Sequence, residues 1–390
     1  MTRLLLSCGE PSGDLYAGAL TRELRTLQPH LTIAGLGGPE FAAAGGKLLE
    51  DYRGLTVTGL TEVIGKLPKS AATLRRLAGV ARDERPDALI VIDFPDFNLR
   101  LARAVHRLGI PIIYYISPQL WAWRSGRIAT IRRLVRRMLV IFPFERAIYE
   151  NAGVPVEFVG HPLVDLIPHA GPPEAFLRRV GLEPQAKTVA VLPGSRPNEV
   201  RHILPDLVTA CGLIASRLPG TQFVIARAPN LDDGLFAVLR QASGLAAVMV
   251  EGETDAALAA ADVALTASGT ATVQTALHDT PMVVVYRVSP ITYKLGRRWV
   301  RVDTFAMVNL IAGKRIVPEL IQDAFTPDAV AAEAISMLTD PARREHIRAD
   351  LAHVRQQLGG SGASRRAAEA IIAAVSVSPR PPAWNEEEQG

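Results

Sequence analysis

The chain has 390 residues, 48% hydrophobic and 21% charged, with a net charge of +4. At roughly 150 residues per domain, this length implies two or three domains. The composition is that of an ordinary globular protein, which excludes a disordered chain, a fibrous repeat and a disulfide-stapled miniprotein. Lys plus Arg exceed Asp plus Glu by only 43 to 39. The charge therefore matters only where basic residues cluster, since a clustered patch attracts anionic lipid, nucleic acid or phosphate.

The chain alternates short apolar runs with helical periodicity. Arg3–Ser7 is expected as the first strand rather than a signal peptide, because its apolar run is too short for one. A helix over Asp14–Leu27 follows, then strands at Thr32–Leu36 and Ala88–Ile92, a helix at Asn98–Leu108, and strands at Pro111–Ile116, Met138–Phe142 and Val156–Val159. The Pro- and Gly-rich stretch Ile167–Pro173 breaks the pattern and marks a domain boundary. Five further strands are expected at Thr188–Leu192, Gln222–Ala226, Ala247–Val250, Val263–Thr266 and Met282–Tyr286. Strictly alternating strands and helices build parallel sheets covered on both faces. The fold class is thus α/β, with two Rossmann-like doubly wound domains over residues 1–167 and 174–340. A helical C-terminus follows over 341–375, where Ile347, Leu351, Val354 and Leu358 share one helix face. Residues 376–390, rich in Pro and Glu, are expected to be a disordered tail.

No apolar run approaches the ~18 residues of a membrane-spanning helix, so membrane contact would be peripheral. The two cysteines, Cys8 and Cys211, suit a reducing compartment and read as buried small apolar side chains.

Ligands of parallel α/β sheets collect where strands end and helices begin, and helix N-termini there favour phosphate. Three such turns stand out. In Gly9-Glu10-Pro11-Ser12-Gly13-Asp14, the glycines permit close backbone approach and Ser12 can donate; a helix cap by Ser12 or Asp14 is the competing reading. In Leu192-Pro193-Gly194-Ser195-Arg196, the Arg196 guanidinium can clamp a diphosphate, or can simply be a surface arginine. In Ala267-Ser268-Gly269-Thr270-Ala271-Thr272, small residues and hydroxyls can hold phosphate oxygens, with Gln274 one turn on as a ribose partner; close packing with a Thr cap is the alternative.

Asp93, in Val91-Ile92-Asp93-Phe94-Pro95-Asp96-Phe97-Asn98, follows four apolar residues and would lie at the sheet's carboxyl edge as a candidate base, with Asp96 as a helix cap. His161 is a lone histidine without metal-ligand spacing and reads as a hydrogen-bonded structural residue. No pattern calls for a metal or cofactor.

Six arginines, Arg124, Arg127, Arg132, Arg133, Arg136 and Arg137, fall in residues 124–137. A helix there would set Ile128, Ile131, Val135 and Met138 opposite the basic side chains, with Tyr114, Tyr115, Trp121 and Trp123 just upstream. In Val63–Arg82, Leu67, Leu74 and Leu77 alternate with Lys66, Lys69, Arg75 and Arg76. Both stretches are either solvated faces or surfaces for anionic lipid. The aromatics form no base-stacking motif, so nucleic acid ranks lower as a partner.

These motifs, in this order, resemble the lipid-A-disaccharide synthase family of GT-B glycosyltransferases. The resemblance rests on the Gly9–Asp14 and Ile92–Asn98 segments, Tyr115-Ile116-Ser117-Pro118-Gln119-Leu120-Trp121-Ala122-Trp123-Arg124, Leu192–Arg196, Ala267–Thr270 and Val308-Asn309-Leu310-Ile311-Ala312-Gly313. It implies the GT-B architecture with an interdomain cleft, C-terminal helices that can pack back on the first domain, and a peripheral enzyme at the cytoplasmic face of the inner membrane. The implied reaction joins UDP-2,3-diacylglucosamine to 2,3-diacylglucosamine 1-phosphate (lipid X), without metal, forming a β-1,6 disaccharide and releasing UDP. By the same resemblance, Asp93 is the base. Ser195 and Arg196, with Gly194, and the Ser268-Gly269-Thr270 turn hold the diphosphate. Asn309 is a polar cleft residue, and Glu10, Ser12 and Gly13 lie near the reacting sugars. Homodimerisation is left open. Two departures stand out: Gln274 where the family usually has Glu, and Pro11 in place of a small residue. A UDP-N-acetylglucosamine 2-epimerase, a soluble-acceptor transferase of the same architecture, and a non-catalytic nucleotide-sugar binding protein are the alternatives.

Overall fold

The computed structural model describes residues 1–55, 60–118, 126–167, 171–229, 231–242, 244–287, 304 and 306–376. The chain divides into two compact units: Met1–Asp165 joined by the chain from Gly359 onward, and Leu166–Leu358.

The first unit carries β1 (Arg3–Ser7), β2 (Thr32–Gly37), β3 (Lys47–Asp51), β4 (Ala88–Ile92), β5 (Ile112–Tyr115), β6 (Arg137–Val140) and β7 (Val156–Phe158) in one sheet of order β3-β2-β1-β4-β5-β6-β7. The second carries β8 (Thr188–Leu192), β9 (Gln222–Arg227), β10 (Ala247–Glu251), β11 (Val263–Ala267), β12 (Met282–Tyr286) and β13 (Glu319–Ile321), ordered β10-β9-β8-β11-β12-β13. Every pairing is parallel. Each sheet is Rossmann-like, winding outward from its first strand in both directions. Helices cover both faces, so the central strands are apolar throughout: all five residues of β4, β8 and β11 are buried.

The periodicity reading misses β3 and β13. Both are edge strands, paired on one side only and half-exposed, so neither needs an apolar run. Lys47 and Asp51 bracket β3, and β13 is three residues long.

The two C-terminal helices part company. Pro341–Gln357 packs on helices Pro327–Thr339, Thr270–Leu277 and Met307–Ala312 of the second unit. Ala363–Ser376 packs on Pro11–Leu27 of the first through a small-residue face of Ala363, Ala367, Ala370 and Ala374. Polar contacts pin it there. The Asp165 carboxylate accepts from the Gly362 and Ser364 N–H groups at 2.6 and 3.2 Å. The Arg366 guanidinium donates to the carbonyls of Val159, Gly360 and Ser361.

The two basic stretches differ from the sequence expectation. The arginine-rich helix ends at Leu134, and Arg137–Val140 is β6, so Met138 is a strand residue in the core. Arg137 pairs with Glu157 at 2.9 Å and Arg127 with Asp96 at 2.5 Å. Arg132, Arg133 and Arg136 stay exposed. Tyr114 and Tyr115 are fully buried in β5 and form no interfacial belt, because the central strand of a covered sheet has no wet face. In the helix Leu60–Glu84, Leu77 is a core residue and Leu74 packs on the core, leaving Lys69, Arg75 and Arg76 outside, with Arg76 paired to Glu50 at 2.7 Å. Trp121, Trp123, Arg124 and residues 377–390 lie outside the described residues, as do the side chains of Lys66 and Leu67. No helix among the described residues is long and apolar enough to cross a membrane.

Candidate active site

In each sheet the winding direction reverses at one point, between β1 and β4 and between β8 and β11. Loops leaving such a pair diverge to opposite faces, opening a crevice at the carboxyl edge. The residues singled out from sequence gather there. Gly9–Asp14 follows β1 and Asp93–Asn98 follows β4; Pro193–Arg196 follows β8 and Ser268–Thr270 follows β11.

In the first unit the two turns are in contact. A Cβ at Gly9 would lie 2.2 Å from the Phe94 ring, so only glycine fits where the β4 turn crosses. Glu10 is the N-cap residue of the helix Pro11–Leu27 by its backbone and makes no side-chain cap, and Ser12 is half-buried beside it. Gly13 sits inside that helix, where a Cβ would lie 3.3 Å from the Cys8 side chain; its role is close packing of helix on strand. Asp14 caps a neighbouring helix instead of its own. Its buried carboxylate accepts from the Gly38, Glu40 and Phe41 N–H groups at 2.7–3.1 Å, fixing the start of Pro39–Ala43.

Asp93 and Phe94 both have left-handed backbones, with φ of 42° and 48°. This is unusual for non-glycine residues and turns the Asp93 side chain out of the strand's alternation. The backbone is held from several sides. Asp93 N–H donates to the Ile116 carbonyl at 3.3 Å, and its carbonyl accepts from Asn98 Nδ2 and Tyr114 Oη, each at 2.8 Å. Asn98, wholly buried, also donates to the carbonyls of Ser7 and Ile92 and accepts from Ser7 Oγ at 2.6 Å. One amide thus ties the ends of β1 and β4 together under Asp93. Asp96 is not the cap; Phe94 takes the N-cap position, and Asp96 lies in the first turn, paired with Arg127.

His161 is buried against the edge of Tyr16 and the Phe142 ring, its Nδ1 accepting from the Leu163 N–H at 3.2 Å. Burial pulls its pKa down to about 3. The unfolded chain takes up this proton near pH 6.5 and the folded chain only near 3. The stability it contributes is therefore complete above about pH 6.5 and is lost as the pH falls from there towards 3, at up to about 1.4 kcal/mol per pH unit. The urea midpoint is expected to fall steeply between pH 6 and 4, and His161→Phe should flatten that slope. An unchanged slope would assign the acid sensitivity to other groups.

In the second unit, Gly194 has φ 118°, and Glu199 folds back over it. The Glu199 carboxylate accepts from the Ser195 and Arg196 N–H groups at 3.1 and 3.2 Å and from the Arg196 guanidinium at 3.3 Å. Those two backbone donors of the helix Pro197–Arg217 are thereby occupied. What the turn offers an anion is the exposed Ser195 hydroxyl and the Arg196 head group. Tyr286, at the end of β12, has its phenol pushed up by burial and by the Glu199 carboxylate, with Arg196 opposing.

The β11 turn meets the helix Thr270–Leu277 at Gly269, its N-cap. Ser268 N–H is bonded to the Val285 carbonyl, and Thr272 Oγ1 caps back onto the Gly269 carbonyl at 2.8 Å, while Thr270 is exposed. Gln274 Nε2 donates to Asp255 Oδ1 at 2.8 Å, and His278 Nε2 contacts the same oxygen at 2.9 Å. Burial pushes the Asp255 carboxyl up, but the bonds from His278 and Gln274 outweigh it and hold it below its ordinary value.

Asn309 does not join either cluster. It is buried, with all four hydrogen-bonding positions filled: Nδ2 donates to the Val317 carbonyl and to Glu319 Oε1, and Oδ1 accepts from the Ile316 and Val317 N–H groups. Those four bonds clamp the segment leading into β13. Among the described residues, no group of three or more His, Cys, Asp or Glu side chains could hold a metal ion.

A profile of the lipid-A-disaccharide synthetase family matches residues 4–375. The chain belongs to that family. It is 44% identical over 370 residues to the lipid-A-disaccharide synthase of Myxococcus xanthus, covering 95% of this chain and 97% of that one. It is also 44% identical over 374 residues to the enzyme of the same name from Geobacter sulfurreducens, with 95% and 96% covered. Among solved structures, a UDP-N-acetylglucosamine 2-epimerase from Neisseria meningitidis bound to UDP-N-acetylglucosamine superposes with a TM-score of 0.67 over 96% of this chain and 100% of its own, at 13% identity. An Anabaena protein in complex with UDP and glucose gives 0.57 over 96% and 100%, also at 13% identity. At such identities these neighbours establish the GT-B-like fold alone.

Sequence reading missed Asn98 as the residue that shapes the Asp93 turn, and missed Glu199, Asp255 and His278. Only Asn98 left a signal, as a polar residue on the otherwise apolar face of Leu101, Ala102 and Val105.

Proposed function

We propose that this chain is a glycosyltransferase joining UDP-2,3-diacylglucosamine to 2,3-diacylglucosamine 1-phosphate, forming the β-1,6-linked disaccharide 1-phosphate and UDP. The 44% identity over nearly the full length of synthases of that name carries the reading. Asp93, presented at the carboxyl edge of the first sheet by its left-handed backbone, takes the proton from the acceptor 6-hydroxyl. The freed oxygen attacks the anomeric carbon as its bond to the UDP β-phosphate breaks, inverting the configuration. Arg196, Ser195 and the Ser268–Thr270 turn meet the negative charge that develops on the leaving diphosphate. Glu10 and Ser12, on the turn beside Asp93, are polar partners for the reacting sugars. Incubation with both acylated substrates, read by mass spectrometry, should yield the disaccharide and UDP. Release of free sugar alone, or an epimerised UDP-sugar with no disaccharide, would sink the proposal.

The acylated substrates call for a reaction at a bilayer surface, and Arg132, Arg133 and Arg136 are exposed cations of the 124–137 stretch with no acidic partner among the described residues. Each near-surface cation contributes about 1 kcal/mol to binding an anionic bilayer. Co-sedimentation with vesicles containing anionic lipid is therefore expected at low salt and weakened by replacing the three arginines with serine. Equal pelleting of the variant, or none by the parent chain, would remove this surface from the account.

A further inference from the structure

Gln274 lies one turn past Thr270 and, four residues on, shares its helix face. A side-chain amide has two faces, and only one is an acceptor. Asp255 decides which is which: a carboxylate only accepts, so the end of Gln274 that meets it at 2.8 Å must be the NH2 group. Asp255 is itself held from a second side by His278 at 2.9 Å, one further turn along the same helix, and its side chain is 24% exposed. No described residue donates to Gln274 Oε1. The arrangement leaves one amide with a fixed polarity, its acceptor end unused among the described residues, next to the turn that begins with Ser268.

We propose that Asp255 is a positioning residue that locks Gln274 with Oε1 outward, as the acceptor for a ribose hydroxyl of the nucleotide. The inference rests on the UDP-sugar reading of this unit. Its chemical content is that one negative charge serves the site from position 255, while position 274 presents a neutral acceptor. Without Asp255 the amide flips end for end and the side chain samples its other rotamers, so Oε1 faces the ribose only a small part of the time.

The test compares UDP with 2′,3′-dideoxy-UDP by calorimetry. The parent chain should prefer UDP about tenfold, the worth of one hydrogen bond. Gln274→Ala and Asp255→Ala should each cut the preference below about threefold, mainly by weakening UDP and leaving the dideoxy nucleotide little changed. The two together should do no worse than either alone, as expected for residues acting through one contact. A second arm keeps the site filled. Gln274→Glu alone sets two carboxylates within hydrogen-bonding distance and should lose the preference; adding Asp255→Asn restores one amide and one carboxylate and should recover it. If Asp255→Ala keeps the full preference, weakens both nucleotides equally, or adds to Gln274→Ala, Asp255 has only a structural role. If the parent chain binds neither nucleotide, the UDP-sugar reading itself fails, and that outcome is separate from the failure of a variant.

Discussion

Asp93→Asn is expected to lower turnover about 10²- to 10⁴-fold, the usual worth of a positioned general base, while leaving the fold intact. Both halves follow from the turn. The turn is held through the Asp93 backbone, which bonds to Ile116, Asn98 and Tyr114. Asparagine tolerates the left-handed conformation at φ 42° as well as aspartate does. The substitution therefore removes the proton acceptor and leaves these backbone bonds in place. Disaccharide formation should collapse while UDP affinity and the melting temperature stay near those of the parent chain. A variant turning over at the parental rate would mean that another group takes the proton.

Asn98→Leu should be damaging in a different way. The side chain is fully buried; the two hydrogens of its NH2 group are shared among the carbonyls of Ser7, Ile92 and Asp93, and its Oδ1 accepts from Ser7 Oγ. An isosteric apolar side chain fills the space but strands those partners out of water. The cost is about 2–4 kcal/mol, read as a fall in the urea midpoint. Activity should fall further than stability, because Asp93 and Phe94 occupy a conformation costing of order 1–3 kcal/mol each, which persists only while its surroundings impose it. Loss of stability with parental turnover in the folded fraction would show that the turn holds its shape without Asn98.

The contrast between these two residues indicates what local pattern can carry. Asp93 announced itself as a charge after four apolar residues, a placement that local hydrophobicity cannot explain. Asn98 reads in the sequence only as the last letter of a motif, because its partner Ser7 lies 91 residues away and its work depends on β1 and β4 being neighbours. The same holds in the second unit. The Gly, Ser and Arg of the β8 turn were visible as a strand-to-helix junction, whereas the backbone bonds of Glu199 depend on a chain reversal over Gly194. The basic stretches depart from their sequence pattern for a related reason. A helix drawn through residues 124–138 keeps its arginines together, but hydrogen bonding of Arg137–Val140 to β5 and β7 ends that helix and sends Met138 inward.

Local sequence carries the alternation of strand and helix, the strand-end turns and the family resemblance. All of these are carried by periodicity and by residue types within a few positions of each other. Tertiary structure alone decided the two edge strands, the return of Ala363–Ser376 to the first unit through Asp165 and Arg366, the saturation of Asn309 and the coupling of Gln274 to Asp255. Each of these depends on which buried polar group finds which partner. That choice is made by strand order and helix packing across the folded unit, and no window of neighbouring residues contains it.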